Sequence, residues 1–97
     1  MPTYISLLNF TQKGIENIKE SPRRLEAAKE AFQAFGGEFK AFYLVMGRYD
    51  MVLIGEAPDD EAAAKVALAM GSRGAIKTES FRAFDESEYR KIIGALP

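Results

Sequence analysis

Two stretches rich in strand-forming residues, 38–46 and 50–57, are separated by a polar turn only a few residues long. So short a link joins neighbouring strands only as an antiparallel hairpin, and this fixes the centre of any fold the chain adopts. The turn, Met46-Gly47-Arg48-Tyr49-Asp50-Met51, sets three polar side chains beside a glycine. A three-residue loop, Gly47 to Tyr49, places Lys40 across from Glu56, Tyr43 across from Leu53 and Leu44 across from Val52. A four-residue loop leaves Lys40 opposite Ala57, so the charge pair favours the shorter one. Simple alternation puts Phe39, Tyr43 and Val45 on one face and Phe42, Leu44 and Met46 on the other.

The flanking segments repeat one pattern. Residues 4–10 are nearly all apolar and read as a first strand. Thr11 caps a short helical turn over 12–19, weakened by Gly14. Ser21-Pro22 reads as a cap and first helical position, and the helix runs to about Phe35. Its apolar stripe is Leu25, Ala28, Phe32 and Phe35, while Arg24, Lys29 and Glu30 face water. Gly36-Gly37 ends it. After the hairpin, Pro58-Asp59-Asp60 starts a second helix with Ala63, Val66, Ala67 and Met70 inward, and acidic charge suits its first turn. Residues 75–84 form a fourth strand. Asp85 and Glu88 make a capping box for a terminal helix whose Tyr89, Ile92, Ile93 and Leu96 share one face.

The order strand, helix, strand, strand, helix, strand is the split βαβ arrangement of an α+β, ferredoxin-like fold, βαββαβ, with an extra C-terminal helix. Two helices cover one sheet face. The other face carries large side chains, an apolar area beyond what monomers usually expose, so a homodimer is expected. The 97 residues fit a single domain, 1–97, and a chain of this size buries only roughly 60 to 65% of its unfolded surface.

Composition narrows the chemistry. With 13 Lys plus Arg against 14 Asp plus Glu, no excess positive charge exists to neutralise a phosphate backbone, so nucleic acid is not an expected partner. The adjacent pair Arg23-Arg24 reads as a solvated first helical turn. Cysteine and histidine are both absent, which removes thiol chemistry, the usual zinc sites, His-ligated haem and the commonest general base near neutral pH. No metal or cofactor is expected. No apolar run approaches the ~18 residues of a membrane span, so the expectation is a cytoplasmic protein with no membrane partner.

Several landmarks fall in a telling order: Pro2-Thr3-Tyr4-Ile5, Gly14-Ile15 followed by Ser21-Pro22, Gly47-Arg48-Tyr49-Asp50, Ala57-Pro58-Asp59-Asp60 and Arg82-Ala83-Phe84. Together they resemble the GYD domain family along nearly the whole chain, with Arg48 as one extra residue inside the Gly-Tyr-Asp core. The resemblance implies a dimeric α/β barrel, two ferredoxin-like sheets packed face to face, and no established function. Relatives by fold include cofactor-independent monooxygenases, small isomerases, haem enzymes and effector-binding modules, and fold alone does not choose among them.

Six residues are the ligand-binding candidates, and no catalytic residue is assigned. In the turn, Arg48 is an anion anchor, Tyr49 a phenolic donor and Asp50 an acceptor or base; each also has a plain structural role in shaping the turn. Asn9, a polar residue in an apolar strand, and Tyr43 are suited to orienting a small apolar substrate. Arg82 suits either an acidic ligand or an ion pair with Glu56 or Glu79 across an interface. The expected function is binding of a small organic or acidic molecule in a pocket between sheet and helices. The alternative is a cofactor-independent monooxygenase or isomerase.

Overall fold

The computed structural model describes residues 1–97. Its elements run β1 (Thr3–Phe10), α1 (Gln12–Glu16), a 3-10 turn (Ile18–Glu20), α2 (Ser21–Ala34), β2 (Glu38–Leu44), β3 (Met51–Glu56), α3 (Asp60–Gly71), β4 (Ile76–Ala83) and α4 (Glu86–Gly94). The four strands form one sheet in the order β2-β3-β1-β4, every neighbouring pair antiparallel. This is the α+β, ferredoxin-like arrangement the element order predicts.

Local chemistry explains most boundaries. The Thr11 hydroxyl accepts from the Gly14 N–H at 3.2 Å and donates to the Gly74 carbonyl at 2.6 Å, so one side chain caps α1 and ties it to the loop before β4. Gly14 is required rather than merely tolerated: a Cβ there would overlap the carbonyl oxygen of Ala75. Asp59 caps α3 by accepting from the Ala62 N–H at 2.8 Å. The capping box of α4 forms as expected, Asp85 accepting from the Glu88 N–H at 2.8 Å and Glu88 from the Asp85 N–H at 3.1 Å. Ser21 departs from its expected role. It lies inside α2, helical at φ −55°, because the 3-10 turn over 18–20 feeds straight into the helix and no side-chain cap is made.

The hairpin register differs from both loops considered. Tyr43 pairs with Val52 and Leu44 with Met51, leaving a six-residue connection closed by the Val45 N–H donating to the Asp50 carbonyl at 2.8 Å. The reason is Asp50, whose own N–H donates to the Leu8 carbonyl at 2.9 Å, so it bridges to β1. A β-bulge between Phe39 and Ala41 then restores the far end, where Glu38 pairs with Glu56. One extra residue reverses side-chain parity, so Phe39 joins Phe42 and Leu44 on the helix side instead of sharing a face with Tyr43. Lys40, the bulged residue, still reaches Glu38 at 3.2 Å and Glu56 at 3.8 Å.

Helices α2 and α3 cover one face. The core there comprises Leu8, Ala28, Phe32, Met51, Leu53, Val66 and Met70. Phe32 meets Phe39 edge to face, the ring centroids 5.9 Å apart at 87°, a preferred aromatic geometry. The opposite face, built by strand alternation, carries Ile5, Leu7, Val52 and Ile54 at its centre, with Tyr43 and Phe81 exposed beside them. No helix covers it. Helix α4 makes no substantial contact with any other element, and its Tyr89, Ile92 and Ile93 are exposed. The molecule is accordingly elongated, 52 × 30 × 17 Å.

The glycines give a direct test of this packing. Gly14→Ala is expected to lower stability by about 1–3 kcal/mol, since backbone must shift to admit the methyl group. Gly71→Ala, at a helical position with nothing within 4 Å, should leave stability unchanged or raise it by up to about 1 kcal/mol. Urea denaturation of the two variants measures the difference.

Candidate functional site

A cavity of about 70 Å³ lies between the helices and the sheet. Leu8 on β1 and Leu53 on β3 line its sheet side, while Ala28 on α2 and Met70 on α3 line the helix side. Twelve of its 15 lining residues are hydrophobic, and the only charged ones are Arg24 and Arg73. Small side chains on the facing surface of α2, Ala27, Ala28 and Ala31, leave the space open.

Arg24 does not face water as the helical pattern suggested. Its Nη1 donates to the Asn17 carbonyl at 3.2 Å and its Nη2 to the Gly14 carbonyl at 3.3 Å, which pins the start of α2 to α1. Its Nε–H is buried and has no hydrogen-bond partner. Arg73 follows α3 and is exposed, and its backbone carbonyl accepts from Lys13 Nζ at 3.0 Å. Neither guanidinium pairs with a carboxylate. Sequence reasoning missed Arg24 because it weighed the basic pair rather than the stripe. Arg24 stands four residues before Ala28 and so shares its helical face.

The six sequence-derived candidates occupy other ground. Asp50 Oδ2 accepts from the Phe10 N–H at 3.0 Å, a bond that continues the pairing of the hairpin base with β1. The Tyr49 hydroxyl donates to Glu79 Oε2 at 2.5 Å, linking the turn to β4, and this bond holds its phenol pKa above the usual value. Asn9 follows Leu8 on β1 and pairs with Lys77, so Asn9, Tyr49 and Asp50 gather near one end of the sheet. Arg48 is exposed at the tip, with no ion pair or hydrogen bond. Tyr43 is 59% exposed on the uncovered face of β2. Arg82 lies at the far end of β4, its guanidinium 5.0 Å from the Phe84 ring centroid, a cation–π contact. None of the six lines the cavity.

Tyr4 is a polar residue that the sequence did not single out. It is 6% exposed, and its hydroxyl donates to Asp60 Oδ1 at 2.5 Å, fastening β1 to the first turn of α3. Burial, then the Asp60 hydrogen bond and charge, push its phenol up to about 12. No group of three or more His, Cys, Asp or Glu residues converges as a metal site would require, and no helix is long and apolar enough to cross a membrane.

The fold and cavity define a small α+β domain of ferredoxin-like type with its pocket between sheet and helices. The chain belongs to the GYD domain family, whose model matches residues 4–93. It is 38% identical over 84 residues to a Thermus thermophilus protein named glutamine synthetase and cystathionine beta-lyase binding protein, covering 86% of this chain and 88% of that one. Among solved structures it is similar to a feast or famine regulatory protein from M. tuberculosis complexed with L-methionine, with a TM-score of 0.67 and 15% identity, over 88% of this chain and 51% of that one. It thus spans about half the length of that regulator. The protein TTHA0845, also from Thermus thermophilus, is similar over 88% of this chain and 95% of its own length, with a TM-score of 0.56 and 24% identity. At these identities the likeness to solved structures is one of fold.

The Tyr4 phenol has a pKa of about 12 in the folded chain against an ordinary value of 10.0. Its contribution to stability is therefore complete below pH 10, and it is lost as pH rises toward 12, where the unfolded chain ionises first. Denaturation midpoints of Tyr4→Phe measured between pH 8 and 11.5 are expected to start lower than wild type and to lose this alkaline decline.

Proposed function

We propose that the protein is a homodimeric binding protein that holds a small organic or acidic molecule in the cavity between sheet and helices. The carrying observation is the cavity itself: an apolar chamber whose only charges are two guanidiniums that no carboxylate of the chain neutralises. Apolar pockets with a few placed polar groups are the common form of small-molecule sites. A catalytic reading, as monooxygenase or isomerase, draws less support. Its natural acid and base, Asp50 and Tyr49, are engaged with the Phe10 N–H and with Glu79, away from the cavity.

Dimerisation is supported by the uncovered sheet face. Ile5, Leu7, Val52, Ile54 and Phe81 form a continuous apolar surface on three adjacent strands. A second copy laid on this face also offers cover for the apolar side of α4, which finds none within its own chain.

A second reading, docking to a metabolic enzyme, is favoured by the relative named for binding glutamine synthetase and cystathionine beta-lyase. The two readings are compatible, because a ligand in the cavity and a partner at the surface use different atoms.

Sedimentation at micromolar concentration should give a dimer, and Leu7→Glu should give a folded monomer by circular dichroism. A monomeric wild type refutes the dimer. A thermal-shift screen with metabolites should find compounds that raise the melting temperature of the wild type but not of Ala69→Leu, which fills the cavity. If no compound does so, the small-molecule reading falls. Immobilised protein should retain purified glutamine synthetase or cystathionine beta-lyase if the second reading holds, and retention of neither refutes it.

A further inference from the structure

Resting on the cavity-binding reading, we infer that the ligand is a short aliphatic monocarboxylate lacking an α-ammonium group. The lining chemistry selects the headgroup. Arg24 and Arg73 supply N–H donors and positive charge, and the cavity is lined by no acidic residue. A carboxylate entering it gains charge-assisted hydrogen bonds. An amino acid brings an ammonium that meets two like charges and no acceptor carboxylate, and burying it unpaired is costly.

Arg24 is preset for this role. Both terminal nitrogens are fixed on backbone carbonyls of α1 and the following residue, so the plane of the guanidinium is held before any ligand arrives. Among its remaining N–H groups, the Nε–H is buried and has no hydrogen-bond partner. A buried donor without a partner is costly, and an acceptor that reached it would relieve that cost. Preset donors also spare the side-chain ordering that binding otherwise demands.

Volume selects the tail. An engineered apolar cavity of about 150 Å³ holds benzene, whereas this one measures about 70 Å³. Half the space of a six-carbon ring encloses roughly three or four carbons by the same measure. That suits an isobutyl or isopropyl end better than an aromatic ring. Met70 and Leu8, both nearly fully buried, supply its apolar contacts.

Calorimetry with four probes tests the inference: 4-methylpentanoate, its neutral amide 4-methylpentanamide, leucine and phenylacetate. Saturable binding is expected for 4-methylpentanoate, with the other three at least tenfold weaker. Arg73→Gln, at an exposed position that does not threaten folding, should weaken the carboxylate at least fivefold and leave the amide unchanged. Arg24→Met should weaken it further, with circular dichroism reporting its folding. Ala69→Leu should abolish binding. Should leucine, the amide or phenylacetate bind as tightly as 4-methylpentanoate and Ala69→Leu block it, the cavity-binding reading stands and the ligand class is wrong. If none of the four binds while the metabolite screen yields another ligand, the class is again wrong. Failure of both the probes and the screen overturns the class and the cavity reading together.

Discussion

The seating of Phe32 over Gly55 fixes how α2 lies on the sheet, and much else follows from it. A Cβ at position 55 would overlap the Phe32 ring, so glycine in the middle of β3 gives the aromatic ring its place. Phe39 closes against the ring edge, and the bulge at Lys40 is what turns Phe39 to that side. The other end of α2 is anchored by Arg24, which binds two carbonyls of the preceding turn. A helix held at both ends cannot sink onto the sheet to fill a gap between the anchors. Between them the helix presents Leu25, Ala27, Ala28 and Ala31 to the sheet, three of the four being alanine, and the gap is the cavity. Interiors are otherwise close-packed, so a void kept open by two fixed points is a built feature of this helix.

The same economy of helices leaves the second face bare. Two helices cover one side of a four-stranded sheet, and the chain has a third of adequate length, α4, which its short link to β4 carries away from the body. Its capping box makes it a formed helix without tertiary support. Isolated helices of this length are marginal in water, and packing of an apolar face normally stabilises them. On the proposed dimer, the bare sheet and the bare helix each find a neighbour. The pairing of Tyr49 with Glu79 also fits that setting, since it joins the hairpin to β4 at the edge of the open face.

Much of this architecture was legible in the sequence, and the parts that were not share a cause. Thr11, Asp59 and the Asp85–Glu88 box act through neighbours three residues away, so spacing alone reveals them. Ser21-Pro22 misled because the signal for a helix start does not report that a 3-10 turn already precedes it. The hairpin register escaped because it is set by a third strand: Asp50 bonds to Leu8 and Phe10, far earlier in the chain. Arg24 escaped for the opposite reason. Charge at a helix start reads as solvated, and only the bonds from its guanidinium to Gly14 and Asn17 show that it is turned inward. The fold implied a pocket between sheet and helices, but the residues that line it had no sequence signature, since they depend on small side chains between two tertiary anchors.

β1 brings the two proposed surfaces to within one residue of each other. Leu8 lines the cavity, while Leu7 lies on the open face, and across the ladder Leu53 and Val52 repeat the arrangement on β3. A strand cannot shift one face without moving the other, because successive side chains leave the same backbone in opposite directions. A ligand that fills the cavity restrains Leu8 and Leu53 and thereby the two strands at the centre of the sheet. On the proposed reading, any difference in strand geometry between the empty and the filled cavity reaches the dimer face, and linkage makes such an effect reciprocal: whatever the ligand adds to subunit affinity, dimerisation adds to ligand affinity. A binding protein built this way needs no moving lid. The thinness of the sheet supplies the connection.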